Sequence, residues 1–210
     1  MQGYLQKGVQ AMNESYSGIR IGYVMTGSFC TFERSFRQAE RLREMGAELV
    51  PVMSENAAEI STRFGTNEGN IRRFSEICGK EVITTIAGAE PIGPKDLTDI
   101  MVVAPCTSNT AAKLAAGVTD SAATMAVKSH LRGGKPVVLA IASNDSLLAS
   151  AKNIGELFNR KNYYFVPMLQ DDIEKKPASL VAEFEMLPEA ISAALRGVQL
   201  RPIIYHKTGD

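Results

Sequence analysis

The chain has 210 residues, 45% of them hydrophobic, which is enough for one substantial core in a single domain. Its 23 basic and 23 acidic residues cancel, so no net field draws it to nucleic acid or to an anionic membrane surface, and neither partner is expected. Three cysteines without CxxC spacing and two histidines argue against a disulfide framework and a zinc site, and no apolar run reaches the roughly 18 to 20 residues that span a bilayer, so a soluble, cytoplasmic protein is expected.

Residues 1–17 read as a polar N-terminal tail. Short β-rich runs then alternate with helical stretches, the signature of βαβ units and a parallel sheet. Ile19 to Met25 predicts a strand ending in the turn Thr26-Gly27-Ser28, and Thr31 to Met45 a helix stopped by Gly46. Glu48 to Met53 is a second strand, after which Ser54 stands as an N-cap; Asn67 to Ile77 is helical. Val82 to Thr84 reads as a short strand and Gly88 to Pro94 as a surface loop. Ile100 to Ala104 has no polar alternation, so it reads as a strand buried on both faces and ended by Pro105. Helices over Asn109–Ala116 and Thr119–Arg132, a strand over Pro136–Ala142, a helix over Ser146–Asn159, a last strand over Tyr163–Pro167 and a final helix over Ser179–Leu195 complete the pattern. The expected architecture is α/β: a doubly wound, Rossmann-like parallel sheet of about six strands flanked by helices, one domain over residues 18–196 with a C-terminal extension over 197–210.

In such sheets ligands bind beyond the carboxyl ends of the strands, where loops lead into helix N-termini that carry free N–H groups and partial positive charge. Four loops qualify. In the first, Gly27 allows close backbone approach and Thr26 and Ser28 offer hydroxyls, enough to cradle a phosphate, although an ordinary turn capped by Ser28 or Thr31 accounts for it as well. Ser54 reads first as a plain cap. The third loop places Thr107, Ser108, Asn109 and Thr110 directly after an apolar strand, more polar groups than capping needs and the kind that bind phosphate oxygens or a carboxylate without a metal. Asn144 lies in the fourth. Cys106 reads as a small buried apolar residue, Cys30 as a thiol at a helix start, and His130 as a residue interacting with a helix C-terminal dipole. The roles of both cysteines stay open.

Pro105, Asn109 and Thr110, the small-residue helix Ala111–Ala116 and Gly117-Val118-Thr119-Asp120 together follow Pro-x-x-x-Asn-Thr, helix, Gly-x-x-Asp. That run resembles the PASANT-type segment of the flavin-containing cysteine decarboxylase superfamily. Thr26-Gly27-Ser28 is similar to its first phosphate loop, Ser54 to the hydroxyl after its second strand, and Ala142-Ser143-Asn144-Asp145 to its Ala-Met-Asn segment, over roughly residues 18 to 168. Gly27–Phe32, Ser54–Ala57, Arg63–Gly65 and Pro105–Thr110 are similar to a branch of that superfamily with a role in sporulation, which serves as one half of a two-subunit dehydrogenase.

The resemblance implies oxidation of a dihydropyridine dicarboxylate in the mother cell, with NADP associated with the partner subunit. It implies FMN, or an anion in its place, held by Thr26, Gly27, Ser28, Ser54, Thr107, Ser108 and Asn144, with Asn109 as the catalytic residue that orients the reacting group. It also implies a homo-oligomer, a trimer or dodecamer, approached through the small residues of Thr110–Ala116 and Ala122–Met125. Two departures stand out. Residues 56–67, where the decarboxylases carry a histidine, contain none, and the stretch 170–178 lacks their clamp cysteine. The alternatives are a decarboxylase, a prenyl-transferring relative and a non-catalytic scaffold subunit.

Overall fold

The computed structural model describes residues 15–205. Its frame is a run of five parallel strands: β1 (Arg20–Met25), β2 (Glu48–Met53), β3 (Ile100–Cys106), β4 (Val137–Ser143) and β5 (Tyr163–Phe165). Two short strands, β6 (Met168–Leu169) and β7 (Leu180–Ala182), join antiparallel, β7 pairing with the end of β4 through Ala142–Val181 and Ser143–Leu180. The order is β2-β1-β3-β4-β7-β6, with β5 also on β4. The chain therefore winds outward in one direction from β1 to β2 and in the other from β1 through β3 to β4. Between β1 and β3 lies the switch point at which doubly wound sheets open a crevice.

All seven residues of β3 are buried, as a strand covered on both faces requires. On one face Tyr23, Leu49, Val102 and Ala140 pack under α1 (Phe32–Glu44), α3 (Asn67–Cys78) and α8 (Leu187–Leu195). On the other, Val24, Val103, Leu139 and Ile141 pack under α5 (Ser108–Ala116), α6 (Ala122–Leu131) and α7 (Ala151–Phe158). Successive strand side chains point to opposite faces, so one sequence feeds both layers. A short α2 (Glu55–Glu59) follows β2, capped by Ser54, whose hydroxyl accepts from the Ala57 amide at 3.4 Å. Pro51 sits on the outer strand β2, where a missing N–H costs no interior ladder bond.

Several expectations change. Val82–Thr84 is no strand; only Ile83 bridges to Val52. The supposed surface loop 88–94 is a short α4 (Ile86–Ala89) running into a 3-10 turn, with Ala89 and Ile92 buried in the core layer of α6. Gly93 permits this, because a Cβ there would stand 2.1 Å from the Ser129 carbonyl oxygen. Neither Ser28 nor Thr31 caps with its side chain; a 3-10 turn over Phe29–Thr31 leads into α1 instead. The strand β3 passes through Pro105, after a cis Ala104–Pro105 peptide, to Cys106. The helix expected from Ser146 begins at Ala151, and the helix expected from Ser179 opens as strand β7, because Leu180 and Val181 pair with β4 and Val181 and Ala182 with β6.

The small-residue faces of α5 and α6 also turn inward. Ala111, Ala122 and Ala123 are buried against the chain's own sheet and do not form an exposed contact surface. The terminal stretches touch the domain where they are described. Tyr16 is buried and donates to the Pro188 carbonyl at 2.6 Å, and the Gln199 side chain bonds both the N–H and the carbonyl of Phe165. Ile204 bridges to Met168, and Tyr205 donates to Glu183 at 2.8 Å. His206 lies outside the described residues.

Candidate functional site

At the switch point, Thr26 ends β1 and lies beside the turn after β3. Its hydroxyl donates to the Pro105 carbonyl at 2.8 Å and accepts from the Thr107 amide at 3.1 Å. Thr26 is 1% exposed, so it latches two strand ends together and presents nothing to a ligand. Thr107 is likewise occupied: as N-cap of α5 it accepts from the Thr110 amide at 3.2 Å and donates to the Thr110 hydroxyl at 3.0 Å. These two expected ligand donors are the scaffold of the site, while Gly27 and the Thr107 backbone border it on both sides.

The remaining candidates gather in two adjoining concavities that share Gly27 and Thr107. One, about 380 Å³, is lined by Ser54, Glu55, Asn56, Asn109, Lys113 and Asp120, with Phe29 and Ile60 as apolar walls. The other, also about 380 Å³, is lined by Ser28, Ser108, Ser143, Asn144 and Asp145. A Cβ on Gly27 would sit 3.7 Å from both the Asn56 Cβ and the Phe29 ring, filling the neck beside the first cleft at ordinary contact distance. Gly27 thus leaves that neck open, and its backbone conformation does not itself require glycine.

The clefts differ in charge. In the first, Lys113 stands one turn after Asn109 on α5 and pairs with Asp120 at 2.9 Å, which holds the Asp120 carboxyl below its ordinary range. Glu55 accepts from the Ala122 amide at 2.9 Å, so the N-terminus of α6 already carries an anion. The second cleft has no cation among its lining residues. Hydrogen bonds from Ser143, Ser150 and Ser108 hold Asp145 below the usual carboxylate range, so it stays negative at neutral pH. The one Ser108 O–H is therefore directed at Asp145, and among the described residues the Ser28 hydroxyl bonds only the Cys30 sulfur, weakly, at 3.9 Å. An anion here must rely on hydroxyls and on the free N–H groups at the start of α5.

Lys113, Asp120, Glu55 and Asp145 also line the clefts; sequence reading gave none of them a role, although Asp120 and Asp145 stand in the Gly-x-x-Asp and Ala-Ser-Asn-Asp segments and Lys113 lies four residues after Asn109. Cys106 is buried in the core and its thiol is pushed up to about 12 by burial, so it is no nucleophile, whereas Cys30 is exposed. His130 is 2% exposed, with Nδ1 2.8 Å from the Thr98 hydroxyl and Nε2 3.0 Å from the Pro136 carbonyl. Burial pushes it down to about 4, so it is neutral and no partner of the helix dipole. Among the described residues no group of three or more histidine, cysteine or carboxylate side chains could hold a metal, and no helix is long and apolar enough to cross a membrane.

A sequence profile of the family described as Flavoprotein matches residues 9–193. The B subunit of dipicolinate synthase from Bacillus subtilis (strain 168) is 44% identical over 190 residues, 90% of this chain and 95% of that protein. The crystal structure of the dipicolinate synthase B subunit from Bacillus halodurans C superposes with a TM-score of 0.84 at 41% identity, covering 92% of this chain and 99% of that one. Two more distant structures share the fold. The FMN-dependent cysteine decarboxylase SpaF has a TM-score of 0.65 at 20% identity, over 86% of this chain and 99% of its own. The dodecameric FMN-dependent Ubix-like decarboxylase of Escherichia coli O157:H7 has a TM-score of 0.59 at 24% identity, over 71% and 80%.

Proposed function

The chain belongs to the Flavoprotein family, and we propose that it is the B subunit of a dipicolinate synthase, oxidising dihydrodipicolinate to dipicolinate in the mother-cell cytoplasm of a sporulating bacterium. The observation that carries this reading is the pair of donor-lined clefts at the switch point. They offer hydroxyls, an amide and helix N–H groups to a dicarboxylate or a phosphate, in a chain 44% identical to a protein of that name. The A subunit of dipicolinate synthase is the partner in this reading and the carrier of NADP. A homo-oligomer, trimer or dodecamer, is the expected assembly, in keeping with the dodecameric relative.

The donor set fits FMN or an anion in its place. Ser28 and Asn144, with the N–H groups at the start of α5 and with Ser108 once it turns from Asp145, would hold the phosphate in one cleft, and Ser54 faces the other; Phe29 and Ile60 offer apolar wall to a ring. Hydride acceptance is what a bound flavin or the partner's nicotinamide supplies. The chain's own part is to orient substrate through Asn109 and to set its charge through Lys113, whose single exposed partner Asp120 a substrate carboxylate can displace. Aromatising the ring removes a hydride and a proton, yet Glu55, Asp120 and Asp145 are each engaged elsewhere and, among the described residues, no histidine lines either cleft. That observation favours a second reading in which this chain positions substrate and the partner performs the chemistry.

Both readings expect dipicolinate to form from dihydrodipicolinate and NADP only when the two subunits are mixed, measured by the absorbance of the aromatic product. Full turnover by the isolated partner would overturn both. Flavin absorbance of the purified chain separates a cofactor-bearing role from a positioning one. The same preparation, with FMN added, should release no carbon dioxide from phosphopantothenoylcysteine or a peptidyl cysteine. The stretch 56–67 has no histidine, and His130 is buried with both ring nitrogens engaged. Carbon dioxide release abolished by His130→Ala would restore the decarboxylase alternative.

A further inference from the structure

A third cavity, about 330 Å³, lies away from the strand-end loops, between the C-terminal end of α5, the second half of α6 and the turn from α7 into β5. It shares no lining residue with either cleft. Leu114, Val118, Leu131 and Tyr163 line it with apolar surface, and Lys128, Arg132 and Arg160 bring three cations to it, with no acidic residue in the lining. The cations are not equivalent. Arg160 is spent internally: it donates to the Leu114 carbonyl at 3.2 Å and to the Ala115 carbonyl, and pairs with Glu156 at 3.1 Å. In doing so it covers the negative end of α5, which would otherwise repel an anion. Lys128 reaches only the Thr119 hydroxyl, at 3.4 Å, and neither it nor Arg132 pairs with a carboxylate among the described residues.

An apolar lining, a neutralised helix end and two uncommitted cations specify a ligand by their chemistry. We propose that this cavity binds a small aromatic carboxylate, its ring against Leu114, Val118, Leu131 and Tyr163 and its charge at Lys128 and Arg132. The volume sits at the lower limit of small-molecule sites, which suits a single ring and excludes a dinucleotide. Tyr163 adds an aromatic face for stacking. Burial pushes its phenol up to about 12, so it stays protonated and does not repel an anion at neutral pH. Arginine and lysine together favour a carboxylate over a neutral ring by charge-assisted hydrogen bonds. The chemical class includes the product of the proposed reaction, but occupancy of this site does not depend on what the strand-end clefts hold.

The test uses the full chain, methyl-labelled, titrated with benzoate and followed by NMR at Leu114, Val118 and Leu131. Saturable shifts of these methyls are expected, with cyclohexanecarboxylate several-fold weaker and benzyl alcohol weaker still. Substituting Lys128→Ala and Arg132→Ala together should weaken benzoate about tenfold or more, two charge-assisted contacts being lost. The pair Ser28→Ala and Ser108→Ala should leave it unchanged, which separates this site from the strand-end reading. No saturable shift at millimolar benzoate, or equal affinity for benzyl alcohol, overturns the proposal. So does unchanged benzoate affinity in the Lys128/Arg132 variant, including the case where that variant changes oligomeric state, which would make the face a contact between copies.

Discussion

Replacing Ser28 and Ser108 together with alanine should weaken FMN binding by about 1.5–3 kcal/mol, roughly ten- to a hundredfold, while leaving the fold intact. A hydrogen bond to a charged acceptor contributes about 1.5–3 kcal/mol, and this cleft has no cation to compensate for the lost Ser28 donor, Ser108 only exchanging Asp145 for the phosphate. Asp145 sharpens the effect. It stays negative beside the ligand, so a phosphate is tolerated there only when Ser108 turns its one O–H from that carboxylate to the phosphate and Ser28 faces it. The fold has little to lose, because the Ser28 hydroxyl makes only a weak bond to the Cys30 sulfur at 3.9 Å and Asp145 keeps Ser143 and Ser150 when Ser108 is removed; thermal unfolding should change by no more than about 1 kcal/mol. Fluorescence titration of the apoprotein with FMN reads the affinity. The companion pair Ser54→Ala and Asn109→Ala reports on the neighbouring cleft, which holds Lys113. Unchanged affinity in the first pair with a large loss in the second would move the phosphate to the Lys113 side.

Between pH 6.5 and about 4 the folded chain should lose roughly 3 kcal/mol of stability through His130 alone. The ring donates from Nε2 to the Pro136 carbonyl, which can only accept, so Nδ1 is the acceptor for the Thr98 hydroxyl and the neutral tautomer is defined. Burial, aided by nearby Lys135, disfavours the proton; the Pro136 carbonyl, Asp99 and Asp96 favour it and lose. Above pH 6.5 neither state carries the proton. As pH falls through that value the unfolded chain gains it and the native chain does not, so stability declines until about pH 4, below which both states hold it. Urea unfolding at a series of pH values measures the slope, and His130→Gln should remove it. With only two histidines in the chain, the His130 ring resonance is assignable by the same variant. A ring that titrates near 6.5 would sink this account.

His130 shows where sequence reading runs out. Its place four residues before the end of a Gly-Gly break was visible, and it does lie in the last turn of α6, but its burial comes from Thr98 and Pro136, which no local pattern brings together. Thr26 and Thr107 are a similar case. Two hydroxyls at strand ends read as ligand donors, and only the approach of β1 to β3 shows that each is consumed in joining the two. At the C-terminal end, Leu180 and Phe184 fit a helical stripe in isolation. The segment begins as strand β7 because an unpaired edge of β4 at Ala142 and Ser143 was there to take it.

What the sequence by itself determined is the wound α/β frame and the four loops at its strand ends. Apolar runs, alternation of strand and helix, and small polar residues after each strand are local signals, and each is a consequence of near-neighbour sterics and burial. It also carried the family, through the run from Pro105 to Asp120. Tertiary structure alone decided which hydroxyls remain free, that the donors divide between two clefts of unlike charge, and that Lys128 and Arg132 meet the apolar lining around Tyr163. The reason is physical: a polar group's role depends on the partner that reaches it, and those partners lie far away in the chain, Pro105 for Thr26 and Ala122 for Glu55.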